Sequence, residues 1–274
     1  MARQQRNLEQ PQPIKETSET TVLVKSSLLG DLAKATGEYE ADFPLSENTQ
    51  GSTSIQFPVL KISKELGVYV MPHEGDPVTT FKSIILDYHA LNSYWKISAD
   101  EGGLCSPPDC VSYDAFTISP EAKEPQAINC PKCRHNVYGS AKHGAGKACK
   151  NSKRLLLYIP GHVIPNIINL PPTSIRSYES YMVALTDKKI HFATCFTEFS
   201  LEHKKSKAGL DIQMAGFRRC EMLPKEDLSI ISQLRKDYSH LFRKFQINRE
   251  DIQEVSEEQS GKESTTASND DIPF

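Results

Sequence analysis

The sequence lacks the features that mark a membrane or secreted protein. Its longest apolar runs, such as Leu155 to Ile159, are strand-length and fall far short of the roughly 20 apolar residues that a membrane-spanning helix needs. The first residues, Met1 to Pro13, are polar and contain no apolar signal-peptide core. We therefore expect a soluble intracellular protein that makes no contact with a membrane.

The sequence also has little that marks an enzyme. The phosphate-binding order GxxxxGK(S/T) is absent, since Lys147 in the Gly- and Lys-rich stretch is followed by Ala148. Asp87 and His89 share one face of a predicted strand, but no compact acidic pair completes a catalytic metal site. The other candidate ligands for a nuclease are Asp100, Asp109 and Asp114. We expect a protein without catalytic activity.

Acidic charge is concentrated at one end of the chain. The 274 residues carry a net charge of −3, which argues against a uniformly basic nucleic-acid binder. Residues 248–274 contain eight acidic and two basic residues, a net charge of −6, so residues 1–247 carry +3. The segment is also poor in apolar residues, and we expect it to be a disordered acidic tail.

Apolar patterning predicts a chain rich in β-strands. Short runs of branched and aromatic residues predict strands at Phe57–Ile62, Val68–Met71, Ser83–Trp95, Arg154–Pro160, Ser180–Leu185, Ile190–Leu201 and Leu210–Leu223. Residues 164–177 are interpreted as a linker or short helix, and residues 26–42 as a short helix. Apolar residues at steps of three and four, from Leu228 to Phe245, predict a helix beginning near Lys225. This helix is expected to pack on the strands, with self-association of two chains as the alternative.

These elements predict a mainly β fold. Five or more strands with long insertions fit an OB-like β-barrel with a C-terminal helix, and a β-sandwich fits nearly as well. We divide the chain into a flexible arm (1–20), one domain (21–247) and the acidic tail (248–274). Residues 96–153, called the cysteine insertion below, interrupt the domain with prolines, glycines and little apolar periodicity.

Five of the seven cysteines lie in the cysteine insertion, which points to a metal rather than to disulfides. Cys130 and Cys133 form a CxxC turn, whose two sulfurs can face one point. Nineteen residues separate Cys110 from Cys130, and fifteen separate Cys133 from Cys149. Both spacings suit loops closed by a tetrahedral zinc ion. Four thiolates fill such a shell, so we expect a structural zinc site. Cys105 is a fifth candidate.

The stretch from Cys110 through Cys130-Pro131-Lys132-Cys133 to Gly146-Lys147-Ala148-Cys149 resembles zinc segments of phage and plasmid replication-module proteins. Those segments pair a CxxC turn with a Gly/Lys-rich loop that ends on another cysteine before a strand. The resemblance covers about 45 of the 274 residues. It implies metal ligands at Cys110, Cys130, Cys133 and Cys149, with Cys110 favoured over Cys105.

A basic loop, residues 130–154, covers the second half of the cysteine insertion and the residue after it, and has seven cations and no acidic residue. Such charges repel one another unless a polyanion is near. A second basic set lies around residues 203–219, and aromatic residues are interleaved with both. Cations that follow phosphates beside rings that stack on bases are typical of single-stranded DNA binding. The predicted contact residues are Tyr94, Trp95, Lys132, Arg134, Tyr138, Lys142, Lys147, Lys150, Lys153, Arg154, Lys204 and Lys205.

The last residues, Asp270, Asp271, Ile272, Pro273 and Phe274, closely resemble the acidic tip of bacterial single-stranded DNA-binding proteins (SSB). In that family the tip follows a disordered linker and docks replication and repair enzymes. The resemblance implies that this tip recruits host replication and repair proteins. It also implies a location in the cytoplasm of a bacterial host cell.

The sequence therefore predicts a single-stranded DNA-binding protein of a phage or mobile element, acting in replication or recombination. Two alternatives stay open. One is a single-strand annealing or recombination factor that carries an SSB-like tip, and the other is a zinc-containing adaptor of the replication machinery.

Overall fold

We describe the fold from a computed structural model. The structure describes residues 56–63, 66–72, 77–97, 106–142, 146–205, 211–247 and 249. Several sequence predictions lie outside these ranges: the arm 1–20, the helix at 26–42, Cys105, and the acidic tail apart from Arg249, including its tip at residues 270–274.

The described residues form nine strands and two α-helices, which confirms the mainly β prediction. The strands are β1 (Val59–Ser63), β2 (Val68–Val70), β3 (Pro77–Val78), β4 (Thr80–Tyr94), β5 (Cys110–Ser112), β6 (Lys150–Tyr158), β7 (Asn166–Leu170), β8 (Cys195–Lys205) and β9 (Asp211–Met222). The helices are α1 (Pro172–Asp187) and α2 (Lys225–Lys244). Neither helix is both long and apolar enough to cross a membrane.

The strands form one mixed sheet in the order β3-β2-β1-β7-β6-β4-β8-β9, with β5 added to β4. Of the strand pairs described, β1 with β7 is parallel and the others are antiparallel. Within this sheet, β4, β6 and β7 form a meander, and β8 returns after α1 to lie beside β4. The spatial order β8-β4-β6-β7 is that of a Greek key.

The long strand β4 joins the two halves of the sheet. Its first four residues pair with β8, and the stretch from Ile84 to Ser93 pairs with β6. The register with β6 shifts between Ile85 and Asp87, where the bulge increases the local twist. One fifteen-residue strand can therefore belong to both halves of a curled sheet.

Two apolar layers cover the two faces of the sheet. On β6, Leu155 and Leu157 pack into the layer that contains α1, while Leu156 and Tyr158 pack into the layer that contains α2. This alternation follows from the two-residue period of a strand. Because β6 is covered on both faces, its central residues form a continuous apolar run.

The strand predicted at Ser180–Leu185 is wrong, because this segment belongs to α1. The buried residues Tyr178, Tyr181 and Leu185 lie at steps of three and four and cover the sheet. Pro172 at the first helical position fits the helix start. The aromatic and branched residues of α1 mimic a strand composition, and packing on the sheet overrides that preference.

The preceding segment was predicted to be a linker or short helix, and it contains β7. All five β7 residues are buried. A strand covered on both faces shows no alternation, so the periodicity that would reveal it is missing.

The predicted C-terminal helix is confirmed as α2. Acidic residues in its first turn and basic residues in its last turn complement the helix dipole. Its C-terminal turn is tied to the sheet by Arg243, which donates two hydrogen bonds to the carboxylate of Asp87 at 2.9 and 3.0 Å. Helix α2 therefore packs on the sheet through both apolar and charged contacts.

Candidate nucleic-acid interface and cysteine cluster

The four cysteines predicted as metal ligands are all buried, with 6–8 % of each residue exposed. Cys110 begins β5, Cys130 and Cys133 lie at the two ends of a short 3₁₀ turn, and Cys149 directly precedes β6. In the turn, the Asn129 side-chain oxygen accepts a hydrogen bond from the backbone N–H of Lys132 at 3.1 Å. This side-chain cap stabilises the CxxC turn without requiring a metal.

Backbone hydrogen bonds bring these cysteine-bearing segments together. The Cys130 N–H donates to the carbonyl of Phe116 at 3.0 Å, close after Cys110 in the chain. The Cys149 N–H donates to the carbonyl of His135 at 2.8 Å, close after Cys133. The CxxC turn is therefore linked on one side to the β5 segment and on the other to the start of β6.

The thiols also influence one another electrostatically. The pKa of Cys149 is raised to about 12, mainly by burial and next by the neighbouring Cys130, Cys133 and Cys110. Burial is likewise the main cause that raises the pKa of Cys110. Burial therefore favours the neutral form of the Cys110 and Cys149 thiols.

Four sulfurs are a donor set that suits zinc. Among the residues that the structure describes, however, no group of three or more His, Cys, Asp or Glu side chains is arranged closely enough to hold a metal ion. The chemistry of the cluster fits zinc, and zinc binding stays a prediction.

The cysteine insertion is attached to the end of β4 by aromatic contacts. The Tyr94 ring stacks on His135 at 4.2 Å between centroids. Trp95 donates from its indole Nε1 to the Ser106 carbonyl at 3.0 Å, and the Arg249 guanidinium lies 5.0 Å from its ring centroid. Tyr94 and Trp95, both predicted to stack on DNA bases, are half-buried and also make these contacts within the protein.

The basic loop presents charge on the surface of the cysteine insertion. Three of its predicted phosphate-contacting cations are exposed, namely Lys132, Arg134 and Lys142. Lys147 donates to the Asn136 side chain at 3.1 Å, and its Nζ lies 5.1 Å from the centroid of the Tyr138 ring. Tyr138 is 79 % exposed. Lys150, the first residue of β6, is half-buried. Lys147 thus has neutral partners and lies beside an exposed ring.

The last two cations of the basic loop belong to the body of the protein. Lys153 pairs with Glu179 of α1 at 3.0 Å. Arg154 is 0 % exposed, and it donates from Nε to Asn169 at 3.1 Å and from Nη1 to the Phe245 carbonyl at 2.9 Å. This burial disagrees with the predicted DNA contact of Arg154, because the side chain points into the core and binds the end of α2.

The second predicted basic set lies on the hairpin of β8 and β9, and carboxylates pair with its cations. Arg218 donates two hydrogen bonds to Glu198 at 2.7 and 2.9 Å, and Lys204 lies 2.8 Å from Glu202. Lys205 ends β8 in register with Asp211. The ion pairs of Arg218 and Lys204 neutralise charge on the surface of this hairpin.

The two basic sets lie at opposite ends of β4. The first residue of β4, Thr80, pairs with Ser200, and β8 continues beyond it toward the hairpin tip. The last residue, Tyr94, pairs with Cys110 at the base of the cysteine insertion. At about 3.3 Å per residue, a strand of this length has a contour of about 45 Å. The structure therefore separates the two sets, which the sequence analysis grouped into one interface.

The residues considered for a nuclease have structural partners. Asp87 forms the ion pair with Arg243 described above, and His89 packs under Phe242 at 4.8 Å between ring centroids. Asp109 accepts from the Lys96 backbone at 2.8 Å. Asp100 lies outside the described residues.

Sequence analysis missed two exposed apolar residues of the cysteine insertion, Phe116 and Ile128. Phe116 is 66 % exposed and Ile128 is 97 % exposed. Neither lies in a periodic pattern, so the sequence offers one signal only: large apolar residues in a segment otherwise poor in them.

No family model, curated protein or solved structure matches this chain.

Proposed function

We propose that this protein binds single-stranded DNA without sequence preference, in the replication or recombination of a phage or mobile element. The observation that carries the proposal is the exposed Tyr138 ring beside Lys147, in a loop with no acidic residue from Cys130 to Arg154. An exposed ring can stack on a base while the neighbouring cations contact phosphates. Binding of this kind requires no catalytic group.

The partners of the cations support this interpretation. Lys147 has an amide and a ring as partners, and neither cancels its charge. Lys132 and Arg134 lie on the same segment, where the sequence supplies no carboxylate. A phosphate chain would neutralise this field and release its own counterions, which favours binding at low salt.

We further propose that Cys110, Cys130, Cys133 and Cys149 hold a structural zinc ion. Their burial and the hydrogen bonds that join their segments support this assignment. Bound zinc would supply the cross-link that a small core cannot, with four sulfurs filling the coordination shell. Cys105 stays an alternative to Cys110 as a ligand.

The body is proposed to be an OB-like barrel. The Greek-key order of β4, β6, β7 and β8, followed by β9, supports this proposal because an OB-fold is a partly open five-stranded Greek-key barrel. In this proposal β1 to β3 and the cysteine insertion are additions to that framework.

The acidic tail is proposed to recruit host replication and repair proteins through its SSB-like tip. Two residues with defined contacts mark where the tail begins: Ile247 just before it, and Arg249 within it. Ile247 packs with Leu91 and Val111, and Arg249 donates to the Ile97 carbonyl. The start of the tail thus lies beside the base of the cysteine insertion.

The proposed function is tested by fluorescence-anisotropy titration of a labelled oligo-dT and of a duplex of equal length, across a series of salt concentrations. We expect strong preference for the single strand, with affinity that falls steeply as salt rises. Equal affinity for both DNAs, or preference for the duplex, would contradict the proposal and favour a zinc-containing adaptor that does not coat DNA.

A further inference from the structure

Exposed apolar side chains are concentrated on the cysteine insertion. Nine large apolar residues of the described chain are largely exposed. Five of them lie in the cysteine insertion, namely Ile97 at its start and Phe116, Ile128, Val137 and Tyr138 farther along. The two aromatic residues among the nine, Phe116 and Tyr138, are both in this set. Clustered exposed apolar residues mark an interaction site more often than isolated ones do.

These residues surround the CxxC turn. The Phe116 carbonyl accepts the hydrogen bond of the Cys130 N–H, and Ile128 lies two residues before that cysteine. Val137 follows Asn136, whose side chain donates to the Cys130 carbonyl at 3.1 Å. The rim of the turn therefore presents apolar side chains from three separate segments.

The Phe116 ring is presented by a fixed backbone. Its N–H donates to the Asp114 carboxylate at 2.7 Å, and the Ser112 hydroxyl donates to the same oxygen at 3.0 Å. Both backbone polar groups of Phe116 are thus occupied while its side chain faces solvent. A ring held in this way loses little conformational freedom when a partner stacks on it.

Charge on the same turn selects the partner. Lys132 and Arg134 are exposed on the CxxC turn, and no acidic residue follows until after Arg154. A surface that combines rings with cations suits a polyanion with accessible aromatic faces. A single strand offers both, whereas a duplex buries its base faces in the stack.

We propose that Phe116 and Tyr138 are base-stacking residues of a single-stranded DNA site centred on the CxxC turn, with Lys132, Arg134 and Lys147 as phosphate contacts. This inference rests on the proposed function and goes beyond it. It places the main DNA contact on the cysteine insertion and not on the β8–β9 hairpin.

The test compares oligo-dT affinity among variants of the full-length protein at one salt concentration. Phe116→Ala and Tyr138→Ala should each weaken binding roughly 5- to 150-fold, the usual range for loss of one stacked ring. Phe116→Trp and Tyr138→Phe keep a ring and should bind within about twofold of the unaltered protein. The control is Val183→Ala, which removes an exposed apolar side chain of α1 and should leave affinity unchanged.

Phe116→Leu separates stacking from apolar packing, since it keeps apolar volume without a ring. We expect it to bind as weakly as Phe116→Ala. The inference is overturned if Phe116→Leu binds oligo-dT as tightly as the unaltered protein, or if the variant carrying both Phe116→Ala and Tyr138→Ala does so. The surface would then belong to a protein partner. Failure of the unaltered protein to bind oligo-dT would overturn the proposed function itself, so the two failures are distinguishable.

Discussion

Two regions of this protein are rich in cations, and they differ in what surrounds those cations. On the β8–β9 hairpin, Arg218 and Lys204 each lie against a glutamate on the sheet surface. In the cysteine insertion, Lys147 lies against an amide and an aromatic ring. The hairpin neutralises its charge internally, while the cysteine insertion leaves positive charge beside an exposed ring. A count of cations along the sequence does not separate the two cases, but their partners do.

The two regions are also held differently. The hairpin belongs to a sheet with apolar layers on both faces, and Phe199 and Ala215 of its strands are fully buried. The cysteine insertion is held by backbone hydrogen bonds, by the contact of Tyr94 with His135, and by a cluster of buried thiols. Loss of a thiol should therefore affect the cysteine insertion and spare the hairpin.

The largest expected effect is that of removing one cysteine of the cluster. Cys130→Ser should reduce bound zinc from one per chain to nearly none and weaken oligo-dT binding more than about 100-fold, because the basic loop loses its cross-link. Metal analysis and anisotropy measure the two effects, and circular dichroism should show the sheet retained. Cys220→Ser on β9 is the matched control and should change neither quantity. Normal DNA affinity in a zinc-free Cys130→Ser protein would contradict the account.

Arg154 sharpens the comparison because it belongs to the basic loop in sequence and to the core in structure. Arg154→Ala removes the donors to Asn169 and to the Phe245 carbonyl and leaves a cavity. We expect the free energy of unfolding to fall by about 3–5 kcal/mol. Urea unfolding measures this change, and the exposed Lys204→Ala should cost less than about 1 kcal/mol. A loss of DNA affinity by folded Arg154→Ala protein, with little loss of stability, would restore its predicted role as a DNA contact.

Acid should destabilise the body through His89. The pKa of His89 is lowered to about 4, mainly by burial and to a smaller extent by Arg154 and Arg243, while the Ala90 carbonyl and Asp87 oppose the shift. Above pH 6.5 the imidazole is neutral in the folded and unfolded states. As pH falls from 6.5 toward 4, only the unfolded state gains the proton, so stability present above pH 6.5 is lost through this window.

The loss attributable to His89 is about 2.5 kcal/mol at pH 4.5. Urea unfolding at pH 7 and 4.5 checks it, with His89→Gln as the comparison protein. The variant should lose about 2.5 kcal/mol less than the unaltered protein over this range. Equal losses in the two proteins would show that His89 does not control the acid response.

The smallest expected effect is that of the acidic tail. A variant that ends at Arg249 should bind oligo-dT about threefold to tenfold more tightly at low salt, because the tail competes for the basic loop. The difference should vanish as salt rises and screens the competition. The same affinity with and without the tail at low salt would argue against this competition.

Much of the fold was predictable from the sequence, since most strands alternate or form short branched runs. The bounds predicted for β4 and β9 differ from the observed bounds by one to three residues. The failures have physical causes. Helix α1 is rich in residues that also favour strands, and β7 is buried on both faces and shows no period. In both segments, packing against the sheet decides the conformation.

The site was less predictable than the fold. Spacing grouped the four cysteines as one metal site, and the structure buries all four of them. The burial of Arg154 and the internal contacts of Tyr94 and Trp95 depend on neighbours that are distant in sequence. The exposure of Phe116 depends on the local backbone around Asp114. The cysteine insertion stays a predicted interface, and the environments of its side chains could not be read from the sequence alone.

The most direct test of the central claim compares how oligo-dT affinity depends on salt in three proteins. One is unaltered, one carries Lys132→Ala, Arg134→Ala and Lys147→Ala, and one carries Lys204→Ala, Arg218→Ala and Arg219→Ala. Each altered protein loses three positive charges, so overall charge is matched. The slope of log affinity against log salt should become shallower by about 2 in the cysteine-insertion variant, since each lost single-strand phosphate contact removes about 0.7. It should not change in the hairpin variant. A shallower slope in the hairpin variant alone would place the DNA on the sheet and contradict the account.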